Sequence, residues 1–306
     1  MAETSESRSS DAQTAPPLPA GWLSRWPWVT FLLPLAVYML VGTLEPTPPD
    51  APPDSTQEVL LDDSGGQEKK QPYFPTEQTG LLPEIPYEYY PWIYTLKIAL
   101  TIATMLAVAR GYLAFPLRVN PLSVVVGVVG IVLWIALCQL RLEQRIIEPV
   151  DRFLGGFAPW ADQDKPSIGL MAILGTGERS AFNPLEQLAD TPIWAWVFLA
   201  IRFTGLALVV PVIEEFFLRG FLMRYVMHAN WWQVPFGQVN RAAVIVGTAV
   251  PMLMHPGELL AALAWFSLVT WLMVRTRNIW DCVVAHAVTN LLLGVYVVTT
   301  GNWQLM

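Results

Sequence analysis

The chain has 306 residues, of which 54% are hydrophobic and 14% are charged. Soluble domains carry roughly 25% charged residues, so this composition disfavours a soluble enzyme, and it excludes an extended disordered protein over most of the length. The net charge of −7 comes from residues 1–90, which hold 13 acidic and 4 basic residues, and this acidity argues against nucleic-acid binding.

The N-terminal part of the chain predicts a tail followed by a membrane span. Residues 1–25 are predicted to be a disordered cytoplasmic tail, because they are mostly small, polar and proline-bearing. Trp26 to Leu44 contains no charge in 19 residues, which is enough to cross a bilayer core of ~30 Å at ~1.5 Å per residue. Arg8 and Arg25 precede this span and therefore predict a cytoplasmic N-terminus.

Two polar stretches interrupt the apolar pattern that follows. Residues 45–90 are rich in Pro, Asp and Glu, and residues 141–190 hold most of the mid-chain charge. We predict that both are long polar loops, with membrane spans over 91–109 and 121–140 between them. The segment 26–190 is therefore predicted to be an N-terminal transmembrane region.

From residue 191 onward the chain is almost entirely apolar, and we predict that 191–306 forms a catalytic membrane core. Spans are predicted over 192–213, 242–255, 258–274 and 279–299. A further apolar, aromatic helix is predicted over 214–228, and the sequence leaves open whether it crosses the membrane as a separate helix. The predicted fold class is all-α, a polytopic membrane helix bundle with seven to eight transmembrane helices that enclose an intramembrane polar site.

Ionisable residues in this apolar region are few, and the densest group is Glu214, Glu215 and Arg219. A charge at mid-bilayer is costly, so such residues normally face a protein interior or cavity. On a helix Glu215 and Arg219 are spaced i,i+4 and can pair, whereas Glu214 points about 100° away. The segment is either a structural ion pair with a spare carboxylate or the seat of a catalytic base.

Two further sites follow along the chain. His255 ends an apolar segment, where a histidine serves as a cap or as a catalyst, and Glu258 takes a structural position in the first turn of the next helix. His286 and Asn290 lie i,i+4 on one helix face, where they either stabilise a developing oxyanion or join two helices by hydrogen bonds. The remaining side chains of this kind are predicted to be structural: His228, Asp281, Cys138 and Cys282.

In this order the three motifs Glu-Glu-x-x-x-Arg, His and His-x-x-x-Asn resemble the CPBP family of intramembrane proteases, relatives of the type II CAAX prenyl protease. The resemblance covers roughly residues 205–295. The family's middle motif has Phe four residues before the histidine, where this chain has Pro251. The matching residues are Glu214, Glu215, Arg219, His255, His286 and Asn290.

The resemblance implies an intramembrane endopeptidase that acts on a membrane-associated or lipidated protein or peptide. It implies that Glu214 and His255 activate a water, that His286 and Asn290 stabilise the oxyanion, and that Arg219 holds Glu215. A cofactor is not implied, although Glu214, His255 and His286 would also suit zinc, and the residues alone leave this choice open. The predicted partners are the substrate and the lipid bilayer, without nucleic acid.

The residues around His255 and Glu258 also resemble a bacterial subgroup associated with exosortase protein sorting, which implies the bacterial inner membrane. Two other functions stay open at this point. One is a transporter with a proton relay through Glu214, His255 and His286, and the other is a catalytically silent scaffold or immunity protein on the same fold. Polar groups converge on three predicted helices while the earlier spans are nearly bare, which favours one enclosed site and hence the protease.

Overall fold

The computed structural model describes residues 22–46, 85–140, 142–157 and 182–305. These residues form helices, turns and connections without a β-strand, which confirms the all-α class. The predicted tail lies mostly outside these ranges, as do residues 47–84 and 158–181 of the two predicted loops. The main helices are α1 (Val29–Gly42), α2 (Tyr90–Ala107), α3 (Pro121–Leu140), α4 (Leu142–Gly155), α5 (Pro192–Tyr225), α6 (Arg241–Met254), α7 (Leu259–Thr276) and α8 (Ile279–Thr300).

The helices include four that are long and apolar enough to cross a membrane, namely α3, α5, α7 and α8. The protein is therefore a helical membrane protein. Helices α1 and α6 are also apolar, but each has 14 residues and is about 21 Å long, which is shorter than a bilayer core of ~30 Å. The number of seven to eight crossing helices stays a prediction.

Helix α5 answers the question that the sequence leaves open about residues 214–228. The predicted segment 192–213 and most of 214–228 belong to one continuous helix, Pro192–Tyr225, of 34 residues. Two π-helical segments, Gly205–Val209 and Phe216–Leu222, lie on either side of the short α-helical stretch Val210–Glu215 that carries both glutamates. π-helical turns inside a helix are frequent at functional sites.

Helix α8 lies at the centre of the bundle and packs closely on α3. Helices α5 and α7 pack against α8 as well, and α3 also contacts α7. Gly130 of α3 permits the close approach of α7, because a Cβ at this position would overlap the ring of Trp265. The Thr289 hydroxyl donates to the Gly127 carbonyl at 2.8 Å, so small residues and one hydroxyl join the helices, as is common in membrane proteins.

The beginning of the predicted loop 141–190 is helical. Apolar residues recur there at Ile146, Val150 and Phe153, which places them on one side of α4. All three side chains are exposed on this side. Helix α4 is thus amphipathic, unlike the uniformly apolar helices α3 and α8.

Helices α1 and α2 pack on each other and against the side of α5. Helix α1 contacts the stretch Val210–Glu215 and the π-helical segment after it, and α2 contacts the π-helical segment Gly205–Val209. The N-terminal region therefore lies directly against the part of α5 that carries the glutamates.

Candidate active site

The ion pair predicted within α5 is present. Glu215 and Arg219 are both completely buried, and Oε2 of the carboxylate lies 2.8 Å from Nη1 of the guanidinium. Arg219 also donates from Nη2 to the Phe266 carbonyl of α7 at 3.3 Å. The pair therefore connects α5 to α7 and keeps a buried charge compensated.

His286 of α8 lies between the two glutamates. Its Nδ1 is 2.9 Å from Oε1 of Glu215, and its Nε2 is 4.0 Å from Oε2 of Glu214. A carboxylate only accepts hydrogen bonds, so the geometry assigns a proton to Nδ1 and directs Nε2 toward Glu214. The ion pair with Arg219 fixes the Glu215 carboxylate, and the hydrogen bond from Nδ1 to this carboxylate orients the imidazole of His286.

Asn290 lies one turn further along α8 and binds the backbone of α5. Its Nδ2 donates to the Leu206 carbonyl at 2.9 Å, within the π-helical segment Gly205–Val209. Hydrogen bonds in a π-helix skip one more residue than in an α-helix, and this change of register makes a carbonyl available to an outside donor. One of the two amide hydrogens remains for another acceptor.

His255 ends α6 and is held by its own helix. Its Nδ1 lies 2.8 Å from the Pro251 carbonyl, so Nδ1 is the donor and Nε2 is the acceptor in the neutral ring. The ring packs edge-on against Trp134 and also contacts Phe266. The departure from the family motif at Pro251 leaves α6 continuous to Met254, and the carbonyl that binds His255 does not depend on the side chain at 251.

A cavity of about 320 Å³ joins these helices. Four of the six predicted site residues line it: Glu214, His255, His286 and Asn290. Glu215 and Arg219 have no exposed surface and support His286 from behind. The remaining wall is largely aromatic and includes Tyr38, Trp134, Trp265 and Phe266. The site is thus a small, mostly apolar enclosure with a few convergent polar groups, as is typical of ligand sites.

Sequence reasoning did not place Glu258, Tyr38 and Trp134 in the site. Glu258 is 9% exposed and lines the cavity, although we expected it to have only a structural position at a helix start. The sequence feature that points to Glu258 is the scarcity of acidic residues in this region, since it is one of four acids after residue 191. Tyr38 and Trp134 belong to uniformly apolar spans, in which nothing in the sequence separates a cavity-lining ring from a lipid-facing one.

The described part of the chain contains no group of three or more His, Cys, Asp and Glu side chains arranged to hold a metal ion. Both histidines of the cavity direct Nδ1 at an oxygen acceptor, so each offers only Nε2 as a ligand atom. A zinc ion held by Glu214, His255 and His286 would therefore bind through Nε2 of both histidines, and a chelation experiment tests this alternative.

The other polar and sulfur side chains have structural surroundings. Asp281 accepts from the backbone N–H of Asn120 at 2.6 Å and thereby joins α8 to the start of α3, whereas Asn278 caps α8 itself. His228 accepts from the nearby Asn230 N–H at 3.0 Å. The side chains of Cys138 and Cys282 are thiols in apolar surroundings.

A comparison with known families finds a match to part of the chain. Residues 193–292 match the family described as type II CAAX prenyl endopeptidase, Rce1-like. This third of the chain is Rce1-like. The match includes all six motif residues and confirms the resemblance stated above, while the exosortase-associated subgroup stays a prediction. No curated protein and no solved structure matches the chain. Over residues 193–292 the chain is thus similar to a family of CAAX-type intramembrane proteases.

Proposed function

We propose that the protein is an intramembrane endopeptidase that hydrolyses a peptide bond in a membrane-associated or lipidated protein. One observation carries the proposal: Glu214 shares a small cavity with His255, His286 and Asn290, while Glu215 is buried behind His286. The cavity therefore contains a carboxylate that is available as a base, together with polar hydrogen atoms for the substrate carbonyl. The Rce1-like segment supports the same reaction class.

Water activation is assigned to Glu214 and His255. Nε2 of neutral His255 accepts a hydrogen bond and can hold a water in the cavity, because Nδ1 is occupied by the Pro251 carbonyl. Glu214 takes one proton of this water as the oxygen attacks the substrate carbonyl carbon. A C–O bond forms, and the carbonyl oxygen becomes negatively charged.

Stabilisation of this oxyanion is assigned to His286 and Asn290. The role requires the imidazolium form of His286, in which Nε2–H serves the oxyanion while Nδ1–H binds Glu215. The second amide hydrogen of Asn290 adds another donor while the first binds Leu206. The C–N bond then breaks, and the proton on Glu214 moves to the leaving nitrogen, which restores the carboxylate.

A comparison of membrane-protein C-termini in bacterial cells tests this function. Cells expressing the wild-type chain should contain cleaved C-termini that are absent when Glu214→Gln is expressed at the same level. Glu186→Gln is the matched control, since Glu186 is an exposed acid on a short helix outside the cavity. Identical termini in all three cultures would contradict the proposal.

A further inference from the structure

Part of the cavity wall comes from outside the Rce1-like segment. Tyr38 lies on α1, far before residue 193 in the sequence, yet it lines the same cavity as Glu214. Helix α1 also packs against the stretch Val210–Glu215 of α5. The N-terminal helices therefore contribute directly to the space in which a substrate would bind.

The ring of Tyr38 is held in place by a buried cation. Lys97 of α2 is 5% exposed, and its Nζ lies 4.4 Å from the ring centroid of Tyr38 and 4.5 Å from that of Tyr94. Glu45, which follows α1, provides the countercharge with Oε1 at 2.5 Å. A buried ammonium is costly without such partners, and cation–π contacts with two rings together with an ion pair satisfy it. The contact fixes the direction in which the Tyr38 ring faces.

The cavity is small, so the ring of Tyr38 affects which substrate side chains fit in it. About 320 Å³ is at the lower end of the ~300–1,000 Å³ that is usual for ligand pockets. A cavity of this volume restricts the size of the substrate side chains that enter it. Tyr38 and Glu214 line the same cavity, so a substrate whose scissile bond lies at Glu214 also meets the ring of Tyr38.

We propose that Tyr38, anchored by Lys97 and Glu45, is a specificity-determining residue that limits the size of the substrate side chain next to the scissile bond. This proposal rests on the proposed hydrolysis. It assigns a selective role to the N-terminal helices, because neither the anchor nor the ring belongs to residues 193–292. Lys97 and Glu45 act through Tyr38 and are positioning residues.

The test measures kcat/KM for a peptide set with the full-length protein in proteoliposomes. The probes are peptides that end in Cys-X-Ile-Met, with X being Gly, Val, Leu, Phe or Trp, each in a farnesylated and an unmodified form. Tyr38→Ala should raise the ratio of kcat/KM for X = Trp over X = Val at least ~10-fold. In a hydrophobic pocket, one methylene more or less on the substrate already changes kcat/KM by about 10–200-fold. Tyr38→Leu should change the ratio in the same direction.

Three variants separate ring size from other effects. Tyr38→Phe keeps the ring and should leave the ratio within about threefold of wild type. The pair Lys97→Met with Glu45→Gln removes the anchor without leaving one charge alone, and it should shift the ratio toward Trp. Tyr90→Ala removes a ring from the aromatic cluster with Phe182 and Phe198, and it should lower both rates without changing the ratio.

Each outcome decides the proposal. An unchanged ratio in both Tyr38→Ala and Tyr38→Leu, with hydrolysis intact, overturns the specificity role and leaves the proposed function standing. A large loss of rate in Tyr38→Phe assigns the role to the hydroxyl and also overturns it. A wild-type protein that cleaves neither form of any peptide overturns this proposal, whereas the proposed hydrolysis is then decided by the comparison of C-termini in cells.

Discussion

Substitution of the two adjacent glutamates should have unequal effects. Glu215 is completely buried between Arg219 at 2.8 Å and His286 at 2.9 Å, so Glu215→Gln leaves a buried guanidinium without its countercharge. Breaking a buried pair in this way costs ~3–5 kcal/mol. At ~2–4 °C for each kcal/mol, the melting temperature in detergent should fall by roughly 6–20 °C.

Glu214→Gln should leave the melting temperature nearly unchanged. The Glu214 side chain reaches the cavity, and glutamine keeps its shape and hydrogen-bonding capacity while removing the base. Hydrolysis should therefore fall at least ~100-fold, because general-base catalysis contributes ~10²–10⁴-fold. Adding Arg219→Met to Glu215→Gln should recover part of the stability without restoring the rate, since His286 still lacks its carboxylate partner.

The assay needs four proteins besides wild type: the two single glutamine variants, Arg219→Met and the double variant. Each is measured for thermal unfolding in one detergent and for cleavage of one membrane substrate in proteoliposomes. Wild type, Glu215→Gln, Arg219→Met and the double variant form a double-mutant cycle that isolates the energy of the pair. Equal stability loss in the two glutamine variants, or an active Glu214→Gln protein, would refute the division of roles.

Three further predictions concern the oxyanion, metal dependence and topology. Asn290→Ala removes an oxyanion donor and should lower the cleavage rate ~10²–10³-fold, and a rate near wild type would contradict this role. Hydrolysis by purified protein should survive a strong chelator, whereas loss that is reversed by Zn²⁺ would show a metal mechanism. A cysteine introduced as Ser64→Cys should react with an impermeant reagent in intact cells, and reaction only after lysis would invert the predicted orientation.

The sequence predicted those parts of the site that depend on one helix or on residue rarity. Glu215 and Arg219 pair as expected because i,i+4 residues share a helix face. The hydrogen bond from His286 to Glu215 joins residues 71 positions apart, and helix periodicity does not determine such a contact. The sequence left open whether His286 and Asn290 face an oxyanion or join two helices, and in the structure each of them binds α5.

The least predictable features lie in the N-terminal helices. Helix α1 is apolar on all sides, so its sequence does not show which face meets α5 and which meets lipid. The contact of Tyr38 with Lys97 depends on how α1 and α2 pack, and the same is true of its place in the cavity wall. The residue pattern likewise does not predict the π-helical register at Leu206, in a segment that contacts α2 and α8.

The two π-helical segments of α5 make the direction of the glutamates depend on chain length as well as on residue identity. Each added residue turns the rest of a helix by about 100° and advances it by ~1.5 Å. Loss of a single residue ahead of Glu214 in the α-helical stretch between the two π-helical segments would therefore swing Glu214 away from the cavity and Arg219 out of line with Phe266. In this helix a deletion that preserves every motif residue would be as damaging as replacing the motif itself.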